Sequence, residues 1–69
     1  MKFDEALIQA YVEIDTPADQ LTIHDDLAAR FVDAVQRFTQ EPIDRAKALH
    51  RLISLRKMGR LPRLRRGRS

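Results

Sequence analysis

Apolar residues recur along this chain at steps of three and four in three separate stretches, the period of an amphipathic α-helix rather than of a strand. In the first stretch Phe3, Leu7, Ala10, Tyr11 and Ile14 mark one face. Asp4 and Glu5 occupy its first turn, where the helix dipole favours negative charge. The pattern predicts a helix over 3–14. Tyr11 to Ile14 also carries β-prone residues, which leaves open where the element ends.

The segment Asp15 to Asp19 stops this helix, because Pro17 disfavours a helical backbone at Thr16. The same residues read as a new start, with Thr16 as N-cap, Pro17 at the first helical position and a single turn over 17–21. Thr22 offers a second capping signal, with Asp25 three residues on. Ile23, Leu27, Phe31, Ala34, Val35 and Phe38 then share a face, which predicts a helix over 23–39 with Phe31 and Phe38 central to the core. Asp26–Arg30 and Asp33–Arg37 are acid-first pairs four residues apart, each contributing roughly 0.2–0.5 kcal/mol.

Pro42 at a first helical position, Asp44 in the first turn and Gly59 as a left-handed C-cap bound a third helix over 42–58. Its apolar face reads Ile43, Ala46, Leu49, Leu52 and Ile53. Short connections between successive helices predict antiparallel neighbours. The expected fold is all-α: a compact three-helix domain over 1–59, with an extra short helical turn at 17–21, and an extended or disordered arginine-rich tail over 60–69. Leu61 and Leu64 offer two apolar residues with which the tail can pack down onto the domain.

Length and composition narrow the picture. Sixty-nine residues make one domain with a thin core, a size at which self-association often supplements stability. The absence of cysteine removes disulfides, thiolate metal sites and thiol nucleophiles. No apolar run approaches the ~20 residues of a membrane-spanning helix. The first residues, with Asp4 and Glu5, do not read as a signal peptide, so the expected location is cytoplasmic.

Charge changes the picture most. Met1 to Asp44 holds all ten acids against three bases, a net of −7, while Arg45 to Ser69 holds the other ten bases and no acid, a net of +10. Such asymmetry points to an interaction tail. Arginine forks bind phosphate in pairs of hydrogen bonds, which makes nucleic-acid backbone, RNA or DNA, the first candidate partner. The candidate contacts are Arg56, Lys57, Arg60, Arg63, Arg65, Arg66 and Arg68. The tail lacks aromatic residues to stack on bases, so contact without base specificity is expected. Leu61 and Leu64 are too few to anchor the tail in a membrane.

Four apolar residues, Ile8, Val12, Val32 and Leu55, fall off the helix faces just described. Gathered in one place they form a candidate protein interface, for self-association or a partner helix, and the basic tail could equally take an acidic protein. His24, Asp25 and Asp26 are consecutive, and helical neighbours point about 100° apart, so they do not converge on a metal ion. No glycine-rich phosphate loop and no pairing of nucleophile with base is present. The sequence therefore predicts a non-enzymatic accessory or regulatory protein, with no cofactor, metal or small-molecule substrate.

Overall fold

The structure, a computed structural model, describes residues 1–62 and 64. Four helices follow in order: α1 over Phe3–Ile14, α2 over Ala18–Ile23, α3 over Asp25–Thr39 and α4 over Arg45–Lys57. Among the described residues there is no strand, which settles Tyr11 to Ile14 as helix. α1 packs mainly on α3, while α2 lies against both α3 and α4, and α4 also reaches α1.

Each helix ends for a local reason. α1 closes at Asp15, which adopts a left-handed backbone (φ 55°) and returns its N–H to the Tyr11 carbonyl. α3 closes the same way at Gln40 (φ 60°), with its N–H on the Gln36 carbonyl. α4 ends as its sequence predicts, with Gly59 left-handed at φ 70°. There the Gly59 N–H meets the Arg56 carbonyl at 3.0 Å and the Arg60 N–H meets the Leu55 carbonyl at 2.9 Å. That pair of bonds satisfies carbonyls the last turn would otherwise leave open.

The starts differ from expectation. Pro17 is the N-cap of α2 rather than its first helical residue, and the Thr16 hydroxyl donates to the Ile14 carbonyl instead of capping. The Thr22 hydroxyl donates to the Asp19 carbonyl, so α3 begins after His24, whose extended backbone separates α2 from α3. That break gives Ile23 to α2 and turns it off the α3 face, leaving it 66% exposed instead of in the core. Pro42 precedes α4 altogether. The Ile43 N–H donates to the Gln36 side chain (3.0 Å), and Asp44 caps the helix by accepting from the Lys47 N–H (2.9 Å). A capping carboxylate two residues after the proline sets the start.

The core is built from Leu7, Leu21, Phe31, Val35, Leu52 and Leu55, all fully buried, with small alanines between the helices. Phe31 is central as expected, whereas Phe38 packs at the edge. On α4 the buried line is Ala48, Leu52 and Leu55, and Ala46 is exposed. Neighbours on more than one side of α4 centre its buried line between the faces they contact, which rotates it away from the stripe the sequence suggests. Leu61 and Leu64 pack against the same core, so the packed body continues beyond Gly59.

Candidate functional site

Three ion pairs among the described residues bridge the charge division of the sequence. α4 carries no acid from Arg45 to Lys57, and all three of its arginines, but neither of its two lysines, pair with acids of other helices among the described residues. Arg51 grips Asp4 of α1 with two parallel bonds, Nε to Oδ1 at 2.9 Å and Nη2 to Oδ2 at 2.8 Å. Arg56 pairs with Asp19 of α2, and Arg45 lies 3.7 Å from Asp25 at the start of α3. On the acidic side Arg37 pairs with Glu13 and lies over the Phe38 ring, rather than joining Asp33 on its own helix.

These pairings leave an electrostatic mark. The Arg51 bonds hold the Asp4 carboxyl below its ordinary value, against a smaller opposing effect of burial, and the charges of Arg51 and Arg60 add to the pull. Burial raises the Tyr11 phenol, an effect that the nearby Arg56 charge opposes.

The candidate nucleic-acid residues are therefore not equivalent. Arg56 is engaged with Asp19. Lys57 and Arg60 are exposed and make no ion pair among the described residues. Arg63, Arg65, Arg66 and Arg68 lie outside the described residues. Outside the predicted set, Lys47 and His50 are exposed on α4 with Ser54 half-buried between them and Lys57. The spacing of these four was present in the sequence. What distinguishes them from the arginines of the same helix is the position of acids as far as 47 residues away along the chain.

The candidate protein interface does not assemble as the sequence suggests. Leu55 is fully buried and Val32 nearly so, both as part of the core. Faces of α3 and α4 that meet more than one neighbour bury a wider arc than a single stripe. Ile8 is half-buried against the core, and Val12, one turn further along α1, is 47% exposed.

His24 bonds through Nε2 to the Gln20 side chain at 3.0 Å. Among the described residues no three acids or histidines gather in a way that would hold a metal ion, and no helix is long and apolar enough to cross a membrane. An open trough of about 600 Å³ lies between the start of α1 and the first turns of α4, lined by Phe3, Asp44, Ala46, Lys47, His50 and Arg51. No protein family, no characterised protein and no solved structure matches this chain.

Proposed function

We propose that this is a non-enzymatic accessory or regulatory protein whose basic C-terminal end contacts nucleic-acid backbone. The observation that carries the reading is where positive charge stays uncompensated. Arg45, Arg51 and Arg56 are paired with acids, whereas Lys57 makes no ion pair among the described residues and Arg60 acts on Asp4 only at longer range, without pairing with it. Arg63, Arg65, Arg66 and Arg68 follow in a stretch without a single acid. Cations so grouped attract a polyanion by releasing its condensed counterions, a gain that falls steeply as salt rises. Leu61 and Leu64 pack on the core, which takes away the two apolar anchors a membrane-bound tail would need.

The test is fluorescence anisotropy of labelled RNA and DNA over a salt series. The full chain is compared with a variant in which Arg60, Arg63, Arg65, Arg66 and Arg68 are all glutamine. We expect micromolar binding at low salt, with a log–log salt slope that falls by about 0.7–0.9 for each phosphate contact removed. An unchanged slope in the variant, or no binding at low salt, refutes the reading and turns the search to a protein partner.

A further inference from the structure

α4 presents two kinds of cation, and the fold separates them. Lys47, His50, Ser54 and Lys57 recur at steps of three, four and three, which places them on one side of the helix, opposite Ala48, Leu52 and Leu55. Lys47 and Lys57 are exposed and make no ion pair among the described residues. The arginines instead flank this face and reach for Asp4, Asp19 and Asp25 on the other three helices.

We infer that the nucleic-acid footprint continues from the C-terminal end along the solvent face of α4, over Lys57, Ser54, His50 and Lys47, while Arg45, Arg51 and Arg56 stay outside it, held by acids of α3, α1 and α2. This rests on the reading of the basic C-terminal end given above. Its chemistry favours backbone over base: a lysine ammonium is a compact point charge, and the rings beside the face, His50 and the half-buried Phe3, gather at its Lys47 end and leave the rest without one. Lys47 and Lys57 stand about 15 Å apart at 1.5 Å per residue, room for several phosphates. Ala46 beside them and Ser54 between them are small, so a strand can lie close to the helix.

Charges near the face accord with this. No acid lies between Arg45 and Lys57. At the Lys47 end Asp44 caps α4 through the Lys47 N–H and the exposed Glu41 shares a depression with Lys47, while Asp4 is bound by Arg51. A protein partner would need an apolar or aromatic anchor at the centre of its interface. The centre here is His50 and Ser54.

The experiment uses the full chain and a labelled 20-nucleotide single-stranded RNA across a salt series, with circular dichroism to confirm that every variant is folded. Three variants are compared: Lys47→Gln/Lys57→Gln, the tail variant with four glutamines at Arg63, Arg65, Arg66 and Arg68, and Arg30→Gln/Arg37→Gln on α3 as a charge-matched control. We expect the lysine pair to weaken binding several-fold and to lower the salt slope by about 1.4–1.8, with little change in the control. Loss in the tail variant but not in the lysine pair overturns this inference and leaves the tail reading intact. Loss in the lysine pair but not in the tail variant overturns the tail reading, and with it the footprint as a continuation of the tail. Equal loss in the control shows an effect of net charge alone and overturns the inference. Absence of RNA binding, or preference for phosphatidylserine vesicles over RNA, overturns both.

Discussion

The clearest residue-scale effect is the two-bond grip of Arg51 on Asp4, which ties the start of α1 to the middle of α4. Because the Asp4 carboxyl titrates below its ordinary value of 3.8 in the folded protein, the unfolded chain takes up the proton first as pH falls. The contribution of Asp4 is therefore complete above the usual carboxylate range and is lost as pH falls through and below it. We expect Asp4→Asn to lower the thermal midpoint at pH 7, and the gap from the unsubstituted protein to narrow as pH falls through the usual carboxylate range and below it. Melting curves followed by circular dichroism check this, and a gap constant across that range would show that ionisation of Asp4 is not involved. Ile23 shows the limit of residue-by-residue reading. Its apolar side chain fits the α3 face in sequence, yet the extended backbone at His24 assigns it to α2 and to solvent.

At the scale of elements, chain punctuation governs where helices stop. Gln40 holds a left-handed backbone that costs a residue with a Cβ about 1–2 kcal/mol, whereas Gly59 adopts the same region freely. A Cβ at Gly59 would meet nothing within 4 Å, so substitution there tests conformation alone. Gly59→Ala is expected to destabilise the protein by about 1 kcal/mol in urea denaturation, and Gln40→Gly to stabilise it by a smaller amount. Part of that second gain is offset because glycine widens the freedom of the unfolded chain. If both substitutions shift stability the same way, the caps do not act through backbone conformation. α2 has six residues, too few to be helical alone, and is held by burial of Ala18 and Leu21.

At the scale of the molecule, a sequence with −7 in one part and +10 in the other folds so that its acids and bases meet. Arg45, Arg51 and Arg56 each bridge α4 to a different helix, while Lys47 and Lys57 on α4, Lys2 before α1 and Arg30 on α3 make no ion pair among the described residues. The core continues past the last helix through Leu61 and Leu64. The double substitution Leu61→Ser/Leu64→Ser should therefore lower stability by about 1–3 kcal/mol, from the loss of half-buried apolar area, as read from the denaturation midpoint. No change would mean that the packed body ends at Gly59.

Sequence periodicity alone determined that the chain is helical, where α1 lies, that a short turn separates it from the next long helix, and that Gly59 ends the last one. These follow from short-range physics: apolar spacing, caps and the left-handed freedom of glycine act within a few residues. Tertiary structure decided the rest. It chose the buried line on α4, placed Val32 and Leu55 in the core instead of at an interface, and paired three of the arginines with acids 20 to 47 residues away. Spacing names the residues on a helix face, but which face is covered and which cation is neutralised depend on neighbours that only the folded chain brings within reach.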